Sequence, residues 1–396
     1  IKEEKTLTGT SHYDYDGNNQ LTKETLPNGD TIDYEYDKVG NRIKKIQNSK
    51  ADTFEYNSAN QIETKNGVSY SYDYDGNLTQ DENYKYEYNV MGQQTRVVNL
   101  NGKEIASYEY DENGLRTKKI IGDLSHEYFY DNEVLMLEVV KKKNEVQEYR
   151  YYQWNGYTPL GVIIKEKDTS GEWKNHVFHY WTNQRGDVIS IRDNVGKEVG
   201  SYEYDAYGNV ISLEGDVAKD NPIRYAGYYY DEETKNYYLQ ARCYNPTNGT
   251  FLALDPHPGD DDEPLSQNGY TYANNNPVLN IDFNGKKASL RTRLRKQVKH
   301  APKWARKILK EMFPNSSSVI GQKIATKSVE WGFAGAVTGE VVVRVSYWGK
   351  PKTLKGYGPI GAYGGFVVGS HVGVYKSLLP LTARYYIGVY LFGKGK

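Results

Sequence analysis

A short unit recurs through this 396-residue chain and limits its fold more than any other feature. Each copy ends in Tyr-x-Tyr followed by Asp or Asn, with one exchange of Tyr for Phe. The copies are Tyr13 to Asp16, Tyr34 to Asp37, Phe54 to Asn57, Tyr72 to Asp75, Tyr86 to Asn89, Tyr108 to Asp111, Tyr128 to Asp131 and Tyr202 to Asp205. Between Tyr15 and Tyr130 the steps are 21, 20, 18, 14, 22 and 20 residues. A period near that length marks a repeat architecture. Within a unit, alternation puts Tyr34 and Tyr36 on one face of a strand and Glu35 on the other. Asp37 then ends the strand, because its carboxylate accepts hydrogen bonds from turn amides. Gly40, Gly92, Gly114 and Gly208 each follow the second tyrosine by four residues, where a turn of positive φ fits. Asn28-Gly29, Asn66-Gly67 and Asn101-Gly102 are further hairpin signals. Each unit is a hairpin that cannot bury a face alone, so stacking is required.

Composition supports the same reading. Tyrosine occurs 39 times against 9 phenylalanines, which suits strands whose rings pack while their hydroxyls find polar partners. A single cysteine, Cys243, excludes a disulfide framework within the chain. No signal peptide is visible and the first residue is Ile, so the expectation is a piece of a longer protein with its targeting information upstream. The near-zero total charge hides a split. From Lys286 onward, 21 Lys and Arg stand against three Glu and no Asp, while the first 285 residues carry 29 basic and 48 acidic groups. Such asymmetry predicts two functional parts, an acidic container and a basic cargo, or two unrelated domains joined.

The repeat resembles the YD repeats of Rhs proteins, related bacterial toxins and teneurins, over roughly residues 10–285. The resemblance implies a mainly β fold, with antiparallel hairpins forming a spiralling β-shell. The shell repeats are expected over 1–179, a repeat-associated core with a self-cleaving segment over 180–285, and a small basic α or α+β toxin domain over 286–396. The core is similar to the family's at Trp181 to Val188, Tyr204 to Gly208, Arg224 to Gly227, Tyr237 to Pro246, Gly249 to Leu252, Asp255-Pro256, Tyr270 to Pro277 and Asn280 to Gly285. By that resemblance Asp255 and Asp282 form a pair that cleaves the chain near Gly285–Lys286, with Arg242 as a supporting cation. Two carboxylates held close do not both ionise easily, so one serves as acid while the other activates water. The chain departs from the family in three ways: Phe283 stands where Pro is usual, Lys286 follows Gly285, and Asp260 to Glu263 lengthen the spacing. The other reading of Asp255 and Asp282 is as turn caps. The acidic run is expected to be a solvated loop, and neither metal nor cofactor is expected.

For residues 286–396 two readings stand. Ser289 to Phe313 has a helical, strongly basic pattern, with Leu290, Leu294, Val298, Trp304, Ile308 and Met312 on one stripe. Gly356 to Tyr375 lacks formal charge, and Gly361, Gly365, Gly369 and Gly373 recur every fourth residue, as in packed membrane helices. The second reading is a nuclease. A basic domain gains affinity for phosphates by counterion release. The acid–base candidates are His300, His371, Glu330 and Glu340, with Glu311. Strand character at Val341 to Tyr347 favours this second reading. The whole is expected to be secreted or displayed at the cell surface. Its C-terminal cargo, delivered into a target cell, acts on membrane or nucleic acid, and a cognate immunity protein protects the producer. An adhesive surface protein with a basic tail is the alternative of another class.

Overall fold

The computed structural model describes residues 1–286, apart from Leu7, Asn132 and 260–263, and beyond them the backbone of Ser289–Leu290, Val345–Tyr347 and Lys350–Lys352. The chain divides into compact units at Ile1–Arg291 and Thr292–Lys396. The first unit is mainly antiparallel β. Eight strands in chain order, from Glu3–Lys5 to Val68–Ser69, form one sheet; fourteen, from Ser71–Tyr72 to Val210–Glu214, form a second. The strand Trp173–Thr182 runs across position 180, so the second sheet passes without a break from repeats into core. Four short strands from Tyr229–Asp231 to Thr250–Phe251 form a third sheet.

Local chemistry dictates the turns. Asp37 Oδ1 accepts the amides of Val39 and Asn41 at 3.0 and 2.8 Å, and Oδ2 accepts the Asn41 side chain at 2.8 Å. Gly40, at φ 84°, closes the turn. The same Asx cage recurs at Asp16, Asn57, Asn89, Asp111 and Asp205. One copy sits elsewhere than the sequence pattern suggested. The fourth unit is Tyr70-Ser71-Tyr72-Asp73, because Asp73 caps the amides of Asp75 and Asn77. Tyr70 is buried and Tyr74 lies fully exposed. Counting from Tyr72 replaces the uneven steps of 18 and 14 by two of 16. Another copy differs in its ending: Asp131 stays in its strand and pairs with Val134.

The first tyrosine of a unit is buried, as at Tyr13, Tyr34, Tyr86, Tyr108, Tyr128 and Tyr202. The second is buried or half-buried and in five units reaches back one hairpin. The Tyr36 hydroxyl donates to the Leu21 carbonyl at 2.7 Å, Tyr56 to Arg42 at 3.0 Å, Tyr110 to Gln94 at 2.7 Å, Tyr130 to Arg116 at 2.9 Å and Tyr204 to Val188 at 3.0 Å. Leu21, Arg42, Gln94 and Arg116 are also the residues at which strand register shifts beside the turn. A carbonyl at such a bulge falls out of the regular ladder, and the next unit supplies its donor. Phenylalanine could fill the volume but not make this bond, which accounts for the bias toward tyrosine.

Residues 216–259 and 264–286 pack against both large sheets. Asn275 donates to the Gly40 carbonyl and Tyr270 to that of Gly76. Arg116 and Lys119 both pair with Asp231. Where the two large sheets meet, Glu24 Oε2 accepts the Ala206 amide at 2.8 Å and Lys45 pairs with Asp205 at 3.1 Å. Burial, then Asp205, lifts the Glu24 carboxyl to about 8 against the opposing effects of the Ala206 amide, Arg185 and Lys45. Between its ordinary 4.5 and about 8 the folded state binds the extra proton. Stability is therefore highest below this window and falls as pH rises through it, by at most about 1.4 kcal/mol per pH unit. Glu24→Gln should flatten the fall in urea midpoint between pH 5 and pH 8; an unchanged slope would remove Glu24 from this role.

Ser289–Leu290 is a strand paired with Asn280–Ile281, not the start of a helix as the basic stripe suggested. A waiting strand edge outweighs weak local helix propensity there. The rest of that predicted helix lies outside the described residues. Val345–Tyr347 pairs antiparallel with Lys350–Lys352.

Candidate active site

Three short elements carry the predicted cleavage residues to one place. Arg242 leads into the strand Cys243–Asn245, Asp255 follows Thr250–Phe251, and Asp282 follows Asn280–Ile281. The Arg242 guanidinium is the hub. Its Nη2 lies 2.7 Å from Asp255 Oδ2 and 3.6 Å from Asp282 Oδ2. Its Nη1 donates to the Gly269 carbonyl at 2.9 Å and its Nε to the Gly285 carbonyl at 2.6 Å. The Phe251 ring covers one face at 3.6 Å. Burial pulls this guanidinium below its ordinary value, and Asp255 and Asp282 oppose that pull.

The carboxylates differ in setting. The Asp282 side chain is 1% exposed and that of Asp255 is 17% exposed, so water reaches only the second freely. Asp255 Oδ1 accepts the His257 amide at 2.8 Å. Asp282 Oδ1 accepts the amides of Asn284, Gly285 and Lys286 at 3.4, 3.0 and 3.2 Å. Asp282 therefore caps the turn at residues 282–286 through Oδ1 while Oδ2 neighbours Arg242, so the capping and catalytic readings fall on one side chain. The peptide between Gly285 and Lys286 has its oxygen on a cation and its nitrogen on a carboxylate. A cation on the carbonyl oxygen polarises such a peptide for attack at its carbon.

The surroundings explain the chain's departures at this motif. Phe283 stacks on Tyr157 at 4.8 Å, anchoring the segment to a hairpin turn of the second sheet. Asn284 accepts the Ala241 amide at 3.1 Å. Lys286 is exposed, so a charged residue is accommodated there. Tyr228, whose hydroxyl touches this segment, and Tyr272 beside it carry no signal in the sequence: they are two tyrosines among 39. Asp260 to Glu263 lie outside the described residues. So do His300, His371, Glu311, Glu330, Glu340 and the glycines Gly361, Gly365, Gly369 and Gly373. Among the described residues, no helix is long and apolar enough to cross a membrane.

The teneurin YD-shell family matches residues 5–278. The tRNA nuclease WapA of Bacillus subtilis is 42% identical over 275 residues, covering 67% of this chain and 11% of that protein. The tRNA(Glu)-specific nuclease WapA of Bacillus subtilis subsp. natto is 43% identical over 275 residues, with the same coverage. Human teneurin-4 is 23% identical over 278 residues, covering 68% of this chain and 10% of its own length. A solved TcdB2-TccC3 chain is similar over 70% of this chain and 18% of its own, at a TM-score of 0.43 and 18% identity. The chain thus spans about a tenth of the length of the sequence relatives it matches here.

Proposed function

This chain belongs to the teneurin YD-shell family, and from that premise we propose that it is the processing end of an Rhs-type toxin, whose shell holds a basic C-terminal segment and frees it by cutting its own chain at Gly285–Lys286. The observation that carries this reading is the grip on that one peptide bond, with Arg242 Nε on its oxygen and Asp282 Oδ1 on its nitrogen.

The chemistry follows from the two settings. In this reading the pair carries one proton on Asp282 Oδ2, because Oδ1 already accepts three amide N–H groups. Asp255 removes a proton from water, and the hydroxide adds to the Gly285 carbonyl carbon. Arg242 stabilises the charge that grows on the oxygen. The carbon–nitrogen bond breaks as Asp282 delivers its proton to the Lys286 nitrogen. The products are a carboxyl group at Gly285 and an amine at Lys286, with one water consumed. The scissile bond is part of the same chain, so no capture step is needed.

The freed segment, 286–396, is proposed to act on nucleic acid. Relatives that match this chain are named tRNA nucleases, and a segment with 21 basic and three acidic residues gains from releasing phosphate counterions. His300, His371, Glu330 and Glu340 are its proposed acid–base groups. A producing cell would need an immunity protein, and the toxin would be secreted or displayed for delivery into another cell.

The test is a gel of the purified chain beside Asp255→Asn and Asp282→Asn. The parent alone should yield a fragment whose N-terminal sequence reads Lys-Lys-Ala-Ser. A fragment of the same start from both variants would end the assignment. The cleaved preparation should then degrade tRNA. Dye leakage from liposomes without RNA loss would favour the glycine-run membrane reading, and neither activity would favour adhesion.

A further inference from the structure

Asp282 must hold one carboxylate oxygen at the Lys286 nitrogen and the other near Arg242, yet it sits on a segment of irregular backbone past the end of a two-residue strand. A side chain on such a segment is placed only as well as its own main chain is. That main chain is gripped by one hydroxyl. Tyr228 Oη lies 2.7 Å from the Asp282 carbonyl oxygen and 3.2 Å from the Asp282 amide nitrogen. It also lies 2.9 Å from the hydroxyl of Tyr272. A hydroxyl has one proton, and the carbonyl can only accept, so that proton goes to the Asp282 carbonyl. The Asp282 amide then donates to Tyr228, and so does Tyr272. All three directions are fixed by donor count alone.

The grip is itself rigidly set. Tyr228 is 5% exposed, and its ring meets those of Tyr225, Tyr237 and Tyr272 edge to face. Tyr272 is wholly buried and stacks on Tyr244 at 4.3 Å. Burial keeps the Tyr228 hydroxyl protonated well above its ordinary range. Its proton is therefore available to the carbonyl through the neutral pH range.

We propose that Tyr228, oriented by Tyr272, is a positioning residue for self-cleavage: its hydroxyl fixes the main chain of Asp282 so that the carboxyl meets the Lys286 nitrogen. The inference rests on the cleavage reading above. It makes Tyr228 neither acid nor base, since it touches no atom of the bond that breaks. Without the hydroxyl, the ring still packs, but Asp282 can turn away from the peptide nitrogen and toward Arg242. Its proton affinity and its reach change together.

The experiment uses the full chain, kept uncut in denaturant and diluted into buffers from pH 5 to pH 9, with the fragment followed over time. Parent, Asp282→Asn, Tyr228→Phe and Tyr272→Phe run side by side, each with a melting curve of the folded product. Tyr228→Phe should cut roughly 10- to 100-fold more slowly, as expected for a misplaced reacting group, with a displaced pH optimum. Tyr272→Phe, which keeps both contacts to Asp282, should show the same displacement to a smaller extent. A merely structural role would lower melting temperature and leave the pH profile in place. If the parent cuts, Asp282→Asn does not, and Tyr228→Phe follows the parent in rate and profile, the inference is wrong and the cleavage reading stands. If the parent never cuts, or Asp282→Asn cuts as the parent does, the cleavage reading itself fails. Should Tyr228→Phe not fold, an unshifted profile for Tyr272→Phe overturns the proposal.

Discussion

Replacing Asp231 by alanine is expected to cost the shell about 3–5 kcal/mol, the usual penalty for stranding buried charge. Asp231 is 1% exposed. Its carboxylate takes both terminal nitrogens of Arg116, at 2.7 and 3.1 Å, and the Lys119 ammonium at 2.9 Å. Arg116 is equally buried, among the rings of Tyr108, Tyr128, Tyr229 and Tyr238. Those rings attract a cation but do not neutralise it. With alanine at 231, the guanidinium keeps no carboxylate partner among its described contacts and Lys119 keeps only Glu233. Burial alone would raise the Asp231 carboxyl, but Arg116 and Lys119 hold it below its ordinary value. Its contribution is therefore present above the ordinary carboxylate range and lost as pH falls below it. Urea denaturation at pH 7 checks the size, and a midpoint equal to the parent's would show that the ion cluster is not a structural joint. Replacing Arg116, Lys119 and Asp231 together by apolar residues of similar volume should recover much of the loss, because no buried charge is then left without a partner to offset its desolvation.

Gly285→Ala should stop self-cleavage with little change in shell stability. Gly285 has φ 72°, and a β-carbon there would lie 2.8 Å from the Leu239 carbonyl oxygen and 3.0 Å from the Arg242 amide nitrogen. Both are main-chain atoms of a tight turn, so the segment carrying residues 284–286 must move instead. Moving it draws the Gly285 carbonyl off Arg242 and the Lys286 nitrogen off Asp282. A displacement of about 1 Å costs on the order of 100-fold in rate. The matched control is Gly102→Ala. Gly102 has a similar φ of 82°, but a β-carbon there meets open space. Fragment yield over time should fall for the first and hold for the second. Equal yields would mean that the Gly285 geometry does not govern cutting.

What could be read from the sequence follows the range of the forces involved. Turn and strand ends were legible, because an Asx side chain caps amides only two and four residues on, and the glycine or asparagine that completes the turn lies within the same window. The one misplaced copy shows the limit of that reading. Tyr70, Tyr72 and Tyr74 alternate through a run in which both Asp73 and Asp75 offer a cap, and only burial of Tyr70 decides between them. Partners distant in sequence left no trace. Nothing local marks Asp231 as the anion for Arg116, 115 positions away, or Tyr228 as the clamp on Asp282, 54 positions away. Asp255, Asp282 and Arg242 were legible only through the family resemblance of their motifs. That one guanidinium bridges both acids and the Gly285 carbonyl is a three-body fact that spacing does not encode.

The backward reach of each unit's second tyrosine has a consequence for how such chains change length. In five units the second tyrosine takes a carbonyl one hairpin behind it, and each of those units offers a like carbonyl ahead. A duplicated hairpin inserted by unequal crossing-over between such units would therefore find donor and acceptor already waiting. The segment from 216 to 286 has no such latitude, since its contacts name individual partners in both sheets. Lineages should accordingly be free to lengthen the repeats while the segment after them stays fixed in size.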